Sequence, residues 1–148
     1  MQTNFIKIKQ SDLSKLKKKL DNLRAFDSKT LSAELGKTGL EIVATAKRNV
    51  KVDKGALKQS IKAQRSGKKI NIVAGANYAP YVEFGTGGMV DLTDMIELGI
   101  PPSYAAQFKG KGIREVNLPA RPFFFNAARI GFRNLLVRLN KQIKNAIK

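Results

Sequence analysis

The chain has 148 residues, contains neither Cys nor His, and carries a formal net charge of +17. These absences exclude disulfides, the usual ligands of zinc, haem and iron–sulfur centres, and catalysis by Ser-His or Cys-His pairs. We therefore expect no metal, no cofactor and no enzymatic activity. The length favours a single domain spanning residues 1–148, and 43% hydrophobic residues predict a globular fold.

The positive charge predicts attraction to nucleic acid, an anionic membrane or an acidic protein, and the alternative is a solvated Lys-rich surface. No apolar run approaches the roughly 18 residues of a membrane span. The N-terminus also lacks the apolar core of a signal peptide. We therefore expect a chain that is made in the cytoplasm and has no membrane partner.

The first third of the chain predicts a short strand and two helices. Alternating apolar residues indicate a strand over residues 3–9. A helix starts at Ser11 or Asp12, and a second helix, capped by Asp27 or Ser28, ends near Asn49. The first helix carries a stripe of leucines on one face: Leu13, Leu16, Leu20 and Leu23.

Two glycines interrupt the second predicted helix. Gly36 and Gly39 each weaken a helix by about 1 kcal/mol relative to Ala. One reason for such a cost is the close approach of another element. We therefore expect part of this helix to pack tightly against the rest of the fold.

A hairpin is predicted in the middle of the chain. Asp53 is placed to cap a short helix through residue 61, and the turn sequence of residues 66–69 separates two apolar segments. The second segment, residues 70–75, reads as a strand. Residues 78–84 predict a helical turn that leads out of the hairpin.

The interval from residue 86 to residue 116 predicts a long irregular loop insertion, because it is rich in glycine and holds two prolines. Residues 91–98 predict a helical turn within it, and residues 113–118 predict a strand that returns to the sheet. Asp91, Asp94 and Glu97 share one face of that turn. They are too few for a hard cation, which needs about six oxygens. Solvated acids, or a contact to a basic neighbouring subunit, account for them better.

The last helix has Pro122 in its first turn and extends without a breaker for roughly 35 Å. An apolar stripe runs along this helix, and basic residues that include Arg138 surround the stripe. Three consecutive aromatics, residues 123–125, point in different directions at its start, so at least one should be exposed at an interface. The elements together predict an α+β fold, a small and mainly antiparallel sheet packed by two long helices, one in the N-terminal half and one at the C-terminus.

Three segments, in this order, resemble a known family. Residues 52–61 (VDKGALKQSI) resemble its D-T-G-x-L-x-x-S-I segment, although Lys54 stands where the family has Thr. Residues 78–86 (YAPYVEFGT) resemble Y-A-x-Y-V-E-F-G-T. Residues 119–128 (PARPFFFNAA) resemble x-A-R-P-F-L-x-P-A, after a longer interval than is typical of the family. The chain is thereby similar to the minor tail component, or tail-completion, family of long-tailed phages, which belongs with the head–tail joining and tail-terminator proteins.

The resemblance implies a structural virion protein of the phage neck. Its subunits form a ring, with a hexamer favoured and a dodecamer as the alternative, around passing genomic DNA that is bound without sequence specificity. The partners are the neighbouring tail-tube and head-connector proteins. The candidate subunit-interface residues are Tyr78, Tyr81, Glu83, Phe84, Arg121, Phe123 and Phe124. The candidate contacts between rings are Met89, Asp91, Asp94, Tyr104 and Phe108.

Two alternatives stay open. Glu83 and Arg121 are opposite charges inside apolar motifs, and they form either an ion pair, within or between subunits, or two separate surface charges. A basic nucleic-acid-binding protein explains the charge of +17 directly, and Tyr78, Tyr81, Phe84 and Tyr104 could then stack on bases. That function does not account for the aromatic segment over residues 78–86, which has no basic residue, or for the Gly-rich loop.

Overall fold

The structure is a computed structural model that describes residues 9–26, 30–51, 55–88, 90–109 and 117–147. Within these ranges the chain forms seven α-helices and one two-stranded sheet. Their order is α1 Gln10–Ala25, α2 Leu31–Asn49, α3 Ala56–Ser60, β1 Ile61–Ser66, β2 Lys69–Ala74, α4 Ala79–Phe84, α5 Leu92–Glu97, α6 Pro102–Ala105 and α7 Phe124–Ala146. A 3₁₀ turn, Ala106–Lys109, follows α6 directly.

Helices α2 and α7 pack against each other to form the main core. The buried face of α2 holds Ile42 and Ala46, one turn apart, and that of α7 holds Ala127, Gly131 and Leu135. Gly131 lies directly against the Ile42 side chain, where a Cβ atom would collide with it. The absence of a side chain at this position therefore permits the close helix crossing.

The hairpin covers another part of α2. Strands β1 and β2 pair antiparallel from Ile61–Ala74 to Ser66–Lys69 around a turn in which Gly67 has a φ of 58°. Gly39 of α2 lies against the Ile70 side chain of β2. The close approach expected from the helix glycines therefore occurs at Gly39, whereas Gly36 has no neighbour within 4 Å of a Cβ position.

A second, smaller hydrophobic cluster forms in the interval where the sequence predicted a long loop. Its buried members are Val90, Met95, Ala105 and Phe108. Helices α5 and α6 and the 3₁₀ turn supply most of them. The described part of this interval, residues 86–88 and 90–109, therefore contains short helices around a core of its own, including the turn predicted over residues 91–98.

Helix α1 contributes no buried residue. Leu13, Leu16 and Leu20 are all exposed. The C-terminal part of α1 meets the C-terminal end of α7, where the Asn22 side chain donates a 3.3 Å hydrogen bond to the carbonyl of Ala146. The leucine face predicted from the sequence therefore exists, but the rest of the described chain leaves it uncovered.

The predicted α+β class, with an antiparallel sheet and long helices in the N-terminal half and at the C-terminus, is confirmed. Helix α7 begins two residues after Pro122, so the proline precedes the helix instead of occupying its first turn. Several predictions lie outside the described residues: all but residue 9 of the strand predicted over residues 3–9, the caps Asp27, Ser28 and Asp53, and residues 113–116. Leu118, at the end of the strand predicted there, forms an isolated bridge with Thr86.

Candidate assembly interface

The Glu83 carboxylate lies at the N-terminus of α7. Its Oε2 atom accepts the backbone N–H groups of Phe123 at 2.7 Å and Phe124 at 2.9 Å, and Oε1 accepts that of Phe125 at 3.0 Å. These are donors without partners inside the helix, and the helix dipole favours a negative charge there. The side chain, 5% exposed, is therefore an internal helix cap supplied from 40 residues away.

Backbone contacts join the same two segments. Arg121 donates its backbone N–H to the carbonyl of Val82 at 2.8 Å, and Thr86 bridges Leu118. Gly85 has a φ of 74°, and a Cβ atom there would lie 2.5 Å from the carbonyl oxygen of Leu118 and 2.7 Å from the nitrogen of Ala120. Only glycine both adopts this positive φ without strain and leaves room for the backbone of residues 118–120. We call residues 78–86 together with residues 118–125 the motif joint.

The first of the three sequence motifs also packs against the motif joint. Leu57 and Ile61 are buried in the same cluster as Ala79 and Phe123. Gly55 precedes α3 with a φ of 74°, and a Cβ atom there would meet only the Gln59 side chain at 3.8 Å, so the positive φ is what favours glycine there. All three motifs therefore converge on one region of the fold.

Aromatic rings connect the motif joint to the second cluster. The Phe84 ring lies 5.7 Å from that of Phe125 and 5.6 Å from that of Phe108. Tyr81 and Tyr104 also contact Phe108, at centroid distances of 5.2 and 5.5 Å. The motif joint is thus packed between the two cores.

A groove of about 520 Å³ lies on one side of the motif joint. Val50, Leu57, Val82 and Pro122 give it an apolar lining. The lining also includes three cations and no acid among the described residues. We call it the basic groove, and its cations are Lys51, Lys58 and Arg121.

A second groove, of about 300 Å³, lies beside the same segment. Asp91, Asp94 and Glu97 line it together with Arg129. Asp91 caps α5 by accepting the backbone N–H of Thr93 at 2.8 Å, and this hydrogen bond lowers the pKa of the Asp91 carboxyl below its ordinary value. We call it the acidic groove. Pro122 lines both grooves, which therefore flank the motif joint.

Burial removes three predicted contact residues from the surface. Phe123 is 1% exposed and Phe108 2%, so both are core residues, and Glu83 is occupied as the cap of α7. Phe124 and Phe125 are half-buried, so the expectation that one of residues 123–125 is exposed was wrong. The predicted pairing of Glu83 with Arg121 does not occur within the chain. Arg121 is exposed, and Glu83 bonds to backbone instead.

Other predicted contact residues are accessible. Tyr78 and Tyr81 of the motif joint are exposed, and so are Asp91, Asp94 and Tyr104. Phe84 is half-buried between the two cores, and Met89 lies outside the described residues. Their roles in assembly stay predictions.

A polar network between α2 and α7 was not predicted from the sequence. Arg138 donates to Glu34 at 2.6 Å, to Glu41 at 2.9 Å and to the hydroxyl of Thr38 at 2.7 Å. Gln142 donates to the other Glu34 oxygen at 2.8 Å. The arginine resembles the other basic residues of α7 in sequence, and only its position opposite two glutamates distinguishes it.

Within the described ranges, no group of carboxylates is arranged to hold a metal ion. No described helix is both long and apolar enough to cross a bilayer.

The family model described as "Bacteriophage HK97-gp10, putative tail-component" matches residues 14–85. Over these residues the chain is similar to HK97-gp10-like phage tail components. The resemblance stated from the sequence motifs is thereby confirmed. No curated protein and no solved structure matches the chain.

The HK97-gp10-like match begins within α1 and ends at Gly85, two residues after the cap Glu83. The third motif lies beyond it, but the structure packs that motif against the end of the matched region. A tail-component family supports a structural role in a phage tail, with other tail proteins as partners, and it favours a virion protein over an enzyme.

Proposed function

We propose that the chain is a structural protein of the phage neck that forms a ring, completes or terminates the tail, and joins it to the head connector around the DNA channel. The observation that carries this proposal is the HK97-gp10-like match over residues 14–85. The resemblance of the three motifs to tail-completion proteins adds the ring and the position at the end of the tail. A hexamer is favoured.

The exposed surface supports assembly. Large apolar side chains lie uncovered on two helices, among them Leu16 of α1 and Phe132 and Leu136 of α7. Phe132 and Leu136 lie one turn apart on α7, and neighbouring exposed apolar side chains of this kind mark contacts with other proteins. Neighbouring tail-tube and head-connector proteins, and further copies of this chain, are the partners that the proposal assigns to it.

The mass of the purified protein tests the ring. We expect native mass spectrometry and light scattering to show six copies at high protein concentration, and negative-stain images to show rings. A protein that stays monomeric at every concentration would contradict a ring that forms independently of the tail.

A nonsense mutation in the gene tests the position at the neck. In the phage that encodes the chain, we expect full heads and separate tails in electron micrographs. Complete, infectious particles made without the protein would overturn the proposed role.

The charge of +17 supports a second candidate, a free nucleic-acid-binding protein. Helix α1 carries Lys15 and residues 17–19, all lysines, and α7 carries Arg129 and Arg133 on exposed positions. Such a protein would bind duplex DNA tightly as a monomer, and the affinity would fall steeply with salt as counterions are released. Tight, salt-sensitive binding by a protein that forms no ring would favour this function.

A further inference from the structure

The basic groove combines an apolar lining with positive charge. Leu57 and Val50 are each 6% exposed, and the cations Lys51, Lys58 and Arg121 line the same groove. Its volume of about 520 Å³ suits several side chains of another protein. A bare anion would leave the apolar lining uncovered, so the groove fits an apolar side chain flanked by acids.

Helix α5 presents such a surface. Met95 is buried in the second cluster, while Asp94, Ile96 and Glu97 are exposed. Ile96 is 47% exposed although it is apolar. We call Asp94, Ile96 and Glu97 the acidic knob.

Free carboxylates are scarce on this chain. Of its 11 acidic residues, Glu34 and Glu41 are paired with Arg138, and Glu83 is buried as a helix cap. On α1, Asp12 and Asp21 are separated by four lysines. Outside α1, and among the described residues, α5 is therefore where carboxylates lie beside an exposed apolar side chain.

The acidic knob and the basic groove do not meet within one chain, because no residue of α5 lines the groove. The acidic groove that α5 borders and the basic groove flank the motif joint, where Pro122 lines both. We propose that the acidic knob of one copy occupies the basic groove of the next copy, with Ile96 against the apolar lining and its carboxylates near Lys58 and Arg121.

This contact is heterologous, because two different patches meet. Repetition of a heterologous contact builds a ring when the rotation closes and a filament when it does not. The inference rests on the proposed ring and names its subunit interface. It also explains how copies of a chain with a charge of +17 could associate, since each contact sets unlike charges together.

Cross-linking tests the contact directly, because the natural chain has no Cys. Single-cysteine variants Ile96→Cys and Lys58→Cys are mixed and treated with a short bifunctional thiol reagent. Peptide mass spectrometry should then find the 96–58 link between copies. Gln64→Cys, exposed on β1, replaces Lys58→Cys in the control and should not link to position 96.

Charge reversal tests the energetic contribution. Lys58→Glu, or Asp94→Lys together with Glu97→Lys, should weaken association by about two- to five-fold for each ion pair lost. Combining all three reversals should recover most of the loss. Gln64→Glu adds a negative charge at an exposed site on β1 and should leave association unchanged. Circular dichroism would confirm that each variant is folded.

The outcomes separate the inference from the proposed function. Rings that form without the 96–58 link and without any response to the reversals would overturn the inference and leave the ring intact. A monomer at every concentration would overturn both the inference and a ring that forms independently of the tail. Lys58→Glu that lowers duplex DNA affinity but not association would assign the groove to DNA and also overturn the inference.

Discussion

Two residues of the motif joint, Glu83 and Gly85, act through opposite properties. Glu83 supplies a charge where three backbone donors need an acceptor, and Gly85 supplies no side chain where the backbone of residues 118–120 comes close. Both hold the third motif against the second. The second motif therefore encodes a packing arrangement, and its acid, Glu83, forms hydrogen bonds inside the subunit.

Replacement of Glu83 by Ala should destabilise the protein strongly. Three N–H groups would lose their acceptor, and each unsatisfied buried donor costs about 1–3 kcal/mol, so we expect a loss of about 2–4 kcal/mol after partial solvation. Glu83→Gln should lose less, because one oxygen remains. Urea unfolding measures both. Glu97→Ala, at an exposed site, should change stability by no more than about 0.5 kcal/mol. An equal effect of the two Ala variants would contradict the capping role.

Two glycine-to-alanine variants should have opposite signs. Gly85→Ala should cost about 1–3 kcal/mol from its backbone conformation alone, with a further loss from collision with Leu118. Gly36→Ala, in α2 with open space around it, should stabilise by about 0.4–1 kcal/mol. Thermal unfolding measures both changes. Destabilisation by Gly36→Ala would show that this position has a contact in the folded state.

The helices contribute unequally to the fold. Helices α2 and α7 share the main core and the polar network around Arg138, whereas α1 has no buried residue and keeps Leu13, Leu16 and Leu20 exposed. Since local stability follows buried apolar contact, α1 should open far more readily than the other two.

Hydrogen exchange tests this order. Backbone amides of α1 should exchange at least tenfold faster than those at the centres of α2 and α7, because only the last two are held by buried side chains. In an assembled sample, protection appearing in α1 would locate a contact on its leucine face. Equal protection of all three helices in the isolated chain would contradict the arrangement.

The network between α2 and α7 should make stability depend on pH. The hydrogen bond from Arg138 lowers the pKa of the Glu34 carboxyl below its ordinary 4.5. A depressed folded pKa contributes stability that is complete above pH 4.5 and is lost as the pH falls through the folded value. The wild type should therefore lose more stability below pH 4.5 than Glu34→Gln does, as urea midpoints would show. Parallel pH curves would contradict the predicted role.

Periodicity was sufficient to predict much of the fold. The apolar spacing of α2 and α7 and the turn between β1 and β2 are local signals, and all three elements formed where the sequence indicated. The Glu83 cap and the Arg138 network were not predictable, because each joins residues 40 to 108 positions apart. The second cluster was missed because its helices are too short to show a period.

At the scale of the whole molecule, the charge of +17 acts in addition to any specific contact. It should attract DNA through phosphates, and phosphate contacts carry no sequence information. Under the proposed function, contact with passing DNA should be weak and unselective, since tight binding would slow transit.

We therefore expect the purified protein to bind two duplexes of unrelated sequence with equal affinity. The logarithm of the affinity should fall with the logarithm of salt, with a slope of about 0.9 for each phosphate contacted. Fluorescence anisotropy at several salt concentrations measures both properties. A preference of tenfold or more for one sequence would indicate a regulator and not a tail component.

The bridge between Thr86 and Leu118, with the adjoining hydrogen bond from Arg121 to Val82, closes the base of the segment that carries α5 and α6. Because the two ends of that segment are held together by the body of the protein, its length has little influence on the rest of the fold, and loop-closure entropy rises slowly with length. The segment is thus an exchangeable module. Related phages could replace it to suit a different neighbour while the main core stays the same, and an engineer could graft a foreign sequence at the same base.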